Sequence, residues 1–453
     1  SQTYDLVIRN ARVVDPESKL DAVRNLGIAN GKIARIATSN LDGRATIDAT
    51  GLVAAPGFID LHSHGQDLEN DRYKAMDGVT TALELEIGVA EIDAWYARRA
   101  AGKALVHYGA SIGHPPVRMA LFRDPGDFLP SGPGAHRVAT PEEITELKRR
   151  IEHGLNRGAP AVGFGVAYTP GASAHEILEM FRVAARFGAP CHVHTRGGGM
   201  SGLMESIAAA AITGAPLHVV HIQSSGLKST PQLVEAIAQA HARGLDVTTE
   251  CYPYGAGMTR IESSIYDDGW QQRMGGIDFK DVQWVATGER LTPESFARFR
   301  KIGGSVIHHV NTEETVRSAV AAPSVMIASD GGLRGGKGHP RSTGAYARVL
   351  GRYVREAKVA SLMDAIARMS LLPAQRLEKR VPAMRNKGRI RVGADADLAI
   401  FDPNTVIDRS TYLEPALYSE GFRHVLVAGI PVVRAGKLVD GVFPGQPVRA
   451  PLK

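Results

Sequence analysis

Cysteine is scarce in this chain. Only Cys191 and Cys251 occur among 453 residues. Two are too few for a disulfide framework, and neither sits in a Cys-x-x-Cys zinc pattern. Long hydrophobic runs are missing as well: no apolar stretch approaches the roughly 20 residues of a membrane helix, so no membrane partner is expected. Blocks of one charge are absent too. The formal net charge is +6, yet Lys and Arg are interspersed with Asp and Glu, and no run of five like charges appears. A nucleic-acid-binding face would concentrate that excess, so no nucleic-acid partner is expected either. A mildly basic protein acting on a small, anionic molecule fits the balance. No secretory signal stands at the start. A cytoplasmic location is expected. Because the first residue is Ser rather than Met, a periplasmic location after removal of a leader is the alternative.

What is present suits a folded enzyme. Hydrophobic residues make up 44% and charged residues 22%, the proportions of an ordinary globular chain. The length accommodates a large domain and a smaller one. Both ends read as β. Tyr4-Asp5-Leu6-Val7-Ile8 and Ala11-Arg12-Val13-Val14 precede an Asn30-Gly31-Lys32 turn. Near the other end, Leu398-Ala399-Ile400-Phe401 and His424-Val425-Leu426-Val427 read as strands, and Arg434-Ala435-Gly436-Lys437 as a turn. The middle alternates strand candidates, at 57–60, 81–86, 161–165, 191–194, 218–222, 246–250 and 325–328, with helical patterns at 142–154, 176–187 and 231–243. Thr140-Pro141 supplies a helix cap and first residue for the first of these. Such alternation predicts a parallel α/β architecture, with a closed (β/α)8 TIM-like barrel as its natural form. The expected division is a small β-sandwich domain from both termini, residues 1–55 plus 385–453, around a catalytic barrel at 56–384. Residues 256–320 break the rhythm with Gly, Asp and bulky side chains of no clear period, and are expected to form a lid insertion.

The chemistry concentrates at strand ends. Pro56-Gly57-Phe58-Ile59-Asp60-Leu61-His62-Ser63-His64 closes an apolar strand on His-x-His. Residues two apart point the same way, so His62 and His64 can converge on one metal ion. His194, His221 and Asp330 each follow another short apolar stretch. Ligands at the ends of several strands are what a barrel active site requires, and imidazoles with carboxylates suit Zn²⁺. His192 and His218 are read as packing residues lower in the barrel. Glu84 and Glu86 share one side of a strand, and burying both without a partner would be costly.

These motifs, together with Gly78-Val79-Thr80-Thr81, His194-Thr195-Arg196, Tyr252-Pro253-Tyr254, Ser329-Asp330-Gly331, His339-Pro340-Arg341 and Gly393-Ala394-Asp395-Ala396-Asp397, resemble the amidohydrolase superfamily. Within it they look like the D-aminoacylases, the N-acyl-D-amino-acid deacylases, over nearly the whole chain. The resemblance implies one or two zinc ions, with His62, His64 and Asp330 at one position and His194 and His221 at the other. The family's cysteine on the second strand has no counterpart here. Glu86 is expected as the bridging carboxylate, with Glu84 as the fallback. The fourth strand offers no lysine for a carbamate bridge. The implied function is cleavage of the amide of a small N-acyl amino acid by metal-activated hydroxide, with Asp330 as general base and acid. Tyr252, Arg341, Gln223 and Arg196 are the expected substrate contacts. Gln223 and Met258 stand where the family pattern has a lysine and a serine for the substrate carboxylate, which points to a different or less anionic substrate. A dipeptidase or cyclic amidase on the same site is the alternative, and a non-catalytic binding barrel a further one. The sequence leaves a homo-oligomer open.

Overall fold

The computed structural model describes residues 2–453. Its centre is an eight-stranded parallel sheet whose strands neighbour one another in chain order: Phe58–Asp60, Val79–Val89, His107–Gly113, Val162–Gly165, Cys191–His194, Leu217–Val219, Val247–Cys251 and Val325–Ile327. Nearly every residue in them is buried, as expected of parallel strands covered on both faces. The sheet closes just past the ends of its first and last strands. Asp330 N donates to His62 O at 2.7 Å and His64 N to Gly331 O at 2.7 Å, around a bridge between Ser63 and Gly331. The barrel predicted from the alternating pattern is therefore present. The third strand is the one that the sequence reading passed over. His107-Tyr108-Gly109-Ala110-Ser111-Ile112-Gly113 has small residues where strands usually carry branched ones.

Helices cover the barrel as their sequences specify. Pro141–Asn156 begins at a capping box: Thr140 Oγ1 accepts from Glu143 N at 3.2 Å, and Glu143 Oε1 from Thr140 N at 3.0 Å. It turns Ile144, Leu147, Ile151 and Leu155 inward. Ala174–Arg186 and Thr230–Ala242 occupy the other two expected places.

Both ends of the chain enter one nine-stranded, mainly antiparallel sheet. Thr3–Asp15 is a single strand with an irregularity after Ile8, where Asn10 takes φ 58°. It pairs with Asp42–Asp48 along its first half and with Val53–Pro56 along its second, so the sheet folds around Ile8, Val13, Leu26, Ile28, Leu398 and Leu426. Val53–Pro56 also pairs with Leu398–Phe401 and runs on through Gly57 into the first barrel strand. The last residues leave this sheet and cross the barrel's lower end, where Tyr96 Oη donates to Val448 O and Val448 N to Tyr108 O.

The insertion is more regular than its sequence suggests. Ala256–Arg260, Val282–Trp284 and Ser305–His309 form a small antiparallel sheet with Ser305–His309 in the middle. It has its own core of Ile261, Tyr266, Trp270, Trp284, Phe299 and Val306. Trp284 and Phe299 stack with centroids 4.0 Å apart. Strands of three to five residues are too short to display alternation, which is why the segment reads as patternless. Among the described residues no helix is long and apolar enough to cross a membrane.

A buried polar knot holds the barrel seam. Lys74 Nζ donates to Asp60 Oδ2 at 2.9 Å and to Ser329 Oγ at 2.7 Å. Asp60 Oδ1 accepts from the backbone N of both His62 and Ser329 at 3.1 Å. All three side chains are buried. Asp60→Ala would strand the Lys74 charge and unpin the first strand from the eighth. The expected loss is about 3–5 kcal/mol, read from chemical denaturation, and a loss well under 1 kcal/mol would exclude this role.

Candidate active site

The seam places the chemistry-bearing residues. Just past the end of the first strand at Asp60, the chain delivers His62 and His64 to the barrel mouth. The second strand adds Glu84 and Glu86, and its pairing with the third strand shifts register between Glu84 and Val89. Gly88, at φ 74°, makes that irregularity possible. Two residues of the same strand thereby reach different neighbours. Glu84 Oε2 lies 2.5 Å from His64 Nδ1, while Glu86 extends to the centre of the mouth. Asp330 and His221 both hold left-handed backbone, at φ 54° and φ 29°. Such conformations are uncommon for residues with a Cβ and gather at functional sites.

Around Glu86 the imidazoles converge. Its Oε2 is 3.2 Å from His62 Nε2, 3.5 Å from His194 Nδ1 and 3.1 Å from His221 Nε2; its Oε1 is 3.6 Å from His64 Nε2. Asp330 Oδ1 is 2.9 Å from Nε2 of both His62 and His64. Two groups of donor atoms result, His62, His64, Glu86 and Asp330 on one side and Glu86, His194 and His221 on the other, each close enough to share an ion. Glu86 Oε2 is buried without a hydrogen-bond partner. A buried carboxylate oxygen in that state calls for a cation, and the nitrogen and oxygen donors around it are those zinc accepts. The residues present therefore fit a metal centre. Glu84, the fallback, lies behind His64 rather than in either group.

Electrostatics agree with the geometry. Burial alone would depress His62, but Asp330, Glu86 and Glu250 raise it well above the usual imidazole value. Burial opposes a charge on His64 too, and Glu84 and Asp330 lift it to about 10. Against the upward push of burial, His62, His194 and His221 hold Glu86 well below an ordinary carboxylic acid. Arg341 and His62 do the same for Asp330.

A cavity of about 640 Å³ opens above these residues. Arg341 lies in it, buried, with Nη1 3.2 Å from Asp330 Oδ2 and its guanidinium 4.6 Å from the centre of the Tyr252 ring. Its Nε and Nη1 have no hydrogen-bond partner. Tyr252 lines the cavity. Arg196 also lines it, but Glu205 grips its guanidinium through two hydrogen bonds of 2.7 and 2.9 Å. Gln223 is placed elsewhere than expected. It is fully buried, outside the cavity wall, and its Nε2 donates to Tyr252 O at 2.9 Å. The amide holds the tyrosine's backbone, and the short helix Ile222–Gly226 directs it away from the cavity.

The structure adds residues the sequence reading had not singled out. Glu250, at the end of the seventh strand, lies 2.8 Å from His62 Nδ1 and 2.9 Å from His218 Nε2. The argument that flagged Glu84 and Glu86, an acid inside a buried strand, applies equally to it. His192 and His218 sit outside the metal-competent groups, their rings 4.6 Å apart. Phe128 packs edge-on against His64 from a loop after the third strand, and Tyr168 against His194. Loop positions of that kind carry no periodic signal.

A family model for the amidohydrolases matches residues 45–109 and 114–433. The chain belongs to the amidohydrolase family. Among its amidohydrolase relatives, the N-acyl-D-glutamate deacylase of Alcaligenes xylosoxydans xylosoxydans is 29% identical over 95% of this chain and 94% of its own length. The D-aminoacylase of the same organism is 28% identical over 95% of each. Among solved amidohydrolase structures, the N-acyl-D-glutamate deacylase of Bordetella bronchiseptica, complexed with zinc and a phosphonate mimic of the tetrahedral intermediate, matches with a TM-score of 0.85 at 28% identity. That match covers 99% of this chain and 100% of the other.

Proposed function

We propose that this amidohydrolase is a zinc-dependent deacylase of small N-acyl amino acids, with the D configuration suggested by its relatives. The observation that carries the reading is the juxtaposition at the cavity floor. Glu86 stands between two pairs of imidazoles, and Asp330 reaches both the imidazoles and Arg341. His62, His64 and Asp330 would hold one ion, His194 and His221 a second, with Glu86 shared. Bound zinc supplies hydroxide near neutral pH and polarises the scissile carbonyl.

The chain's own groups do the rest. Asp330 is ionised and faces the cluster, so it can take a proton from the attacking water and return it to the leaving amine nitrogen. Arg341, with unpartnered N–H groups and Tyr252 beneath it, pairs with the substrate carboxylate. Phe128 and Leu129 shield the reacting atoms from bulk water. The side-chain end of the substrate meets Met258, Ile265, Met274 and Leu129. Of the arginines that line the cavity away from the metal cluster, Arg273 is held by the backbone carbonyls of Ile265, Asp267 and Asp268, and three others by carboxylates. Arg260 is held by Glu262 at 2.8 Å, Arg334 by Asp127 at 2.8 Å and Arg196 by Glu205. The reading therefore favours apolar side chains, although one relative is a glutamate deacylase. The partner is a small molecule, without nucleic acid or membrane, in a cytoplasmic or periplasmic chain that is a monomer or a homo-oligomer. On this reading, residues 1–55 and 385–453 form the small domain, apart from the last residues under the barrel, and 56–384 the catalytic one.

Three outcomes are expected. In an amine-release assay, Asp330→Asn lowers kcat by about 10²–10⁴ while circular dichroism stays unchanged; an active Asn variant would remove Asp330 from the proton transfers. Across a panel of N-acetyl-D-amino acids, kcat/KM is higher for leucine and methionine than for glutamate and aspartate, and the reverse order would mean that a rim arginine is free after all. Finally, His62 and His64 carry protons at neutral pH in the metal-free chain, and a metal binds only the neutral imidazole. Zinc uptake then releases protons, and apparent affinity rises with pH until about 10 is passed. Calorimetry in buffers of different ionisation heat measures this, and proton-neutral uptake at pH near 7 would contradict it.

A further inference from the structure

Arg341 is buried, yet its Nε and Nη1 make no hydrogen bond. Other contacts must hold the residue in place, and His339 supplies the central one. Helix Arg341–Arg348 starts after Pro340, which offers no capping side chain. The first amide of a helix has no intrahelical acceptor. Here His339 Nδ1 accepts from Arg341 N at 3.0 Å. On the opposite edge of the ring, His339 Nε2 lies 2.7 Å from Ala256 O. An amide N–H only donates and a carbonyl only accepts, so both ends specify one neutral tautomer, with the proton on Nε2. Burial and the neighbouring Arg341 charge keep the ring neutral, well below the usual imidazole value. Tyr252, Tyr254 and Tyr412 pack around it, with centroids 6.2, 5.3 and 5.2 Å away.

Ala256 opens the insertion strand Ala256–Arg260. Two residues on, Met258 O accepts from Arg341 Nη2 at 3.4 Å. The arginine is thus tied to that strand twice, at its backbone through His339 and at the tip of its side chain. The two ties leave Nε and Nη1 for a ligand. An acidic cap at position 339 would satisfy the same amide, but its charge would compete with an anionic ligand for Arg341. A neutral imidazole holds the arginine without neutralising it.

We infer that His339 is the positioning residue of Arg341: it couples the arginine's backbone to the insertion strand, so that guanidinium and cavity wall stay aligned when a substrate carboxylate binds. The inference rests on the carboxylate-binding role proposed for Arg341 above, and goes beyond it in assigning what sustains that role.

Steady-state kinetics test it on N-acetyl-D-leucine and on the matching N-acetyl amino alcohol, which lacks the carboxylate. His339→Gln keeps a donor for Ala256 O and loses the acceptor for Arg341 N. It is expected to raise KM for the carboxylate substrate about 10-fold, with kcat within about twofold and KM for the alcohol unchanged, as for the loss of one buried hydrogen bond. His339→Asn, whose Oδ1 takes the place of Nδ1, is expected to recover most of that loss. An equal rise in KM for both substrates, a fall in kcat alone, a Gln variant matching the unmodified chain, or an Asn variant no better than Gln overturns the inference. Arg341→Met separates the two levels: if it raises KM for the carboxylate substrate alone, the role of Arg341 stands whatever His339 does. If it changes neither KM, that role fails and the inference with it. A second measurement needs no variant, and decides alone if the variants fail to fold by circular dichroism. Hydrogen exchange of the full chain is followed by mass spectrometry with and without the product D-leucine. Exchange is expected to slow together at the start of the Arg341–Arg348 helix and in the strand Ala256–Arg260. Slowing at only one of them, or at neither, overturns the coupling.

Discussion

Four carboxylates lie buried within hydrogen-bonding reach of imidazoles at one end of this barrel, and the arrangement survives only because their charges are balanced. An isolated ionised carboxylate in such a place would be prohibitive. Glu84 is met by His64, Glu250 by His62 and His218, and Asp330 by His62, His64 and Arg341. Glu86 Oε2 alone is left without a proper hydrogen bond. The chain thus spends its polar burial where an external cation completes the balance. The same logic places Arg341 over Tyr252, where the ring face supports a guanidinium that keeps donors free.

The scaffold beneath explains how such a cluster can be held. Its members come from five barrel strands or the loops that follow them, and the seam between the first and last strand runs through His62, Ser63, Asp330 and Gly331. Asp60 and Lys74 anchor that seam one layer lower. Left-handed backbone at Asp330 and His221 is tolerated because the hydrogen bonds on either side over-determine it. The insertion contributes a separately packed wall rather than a loose flap, since its aromatic core is its own.

Much of this was legible in the residues. His62, His64, His194, His221 and Asp330 could be named because strand ends have a readable pattern, an apolar run closing on a polar residue, and Glu86 because an acid inside a buried strand needs a partner; the structure brings all six together. The paired ends were readable because Asn30-Gly31 and Ala435-Gly436 supply positive φ for tight turns. Side-chain direction after a strand ends was not readable. Gln223 follows His221 by two residues, but a helical turn there breaks the alternation that would have aimed it at the cavity. Nor could spacing reveal that Glu205 occupies Arg196, or that Glu250, far along the chain, stands behind His62. Pairings of that kind are fixed by closure of the barrel.

That closure also orders events in time. His64 and Asp330, whose side chains meet at 2.9 Å, are 266 residues apart in the chain. Seven strands and most of the covering helices must leave the ribosome before the eighth strand can complete the seam. Until then the emerging chain carries His62 and His64 at an open sheet edge, with neither Asp330 nor Arg341 beside them. A truncated translation product therefore cannot hold half of the activity: the centre comes into being in a single step, with the last strand of the barrel.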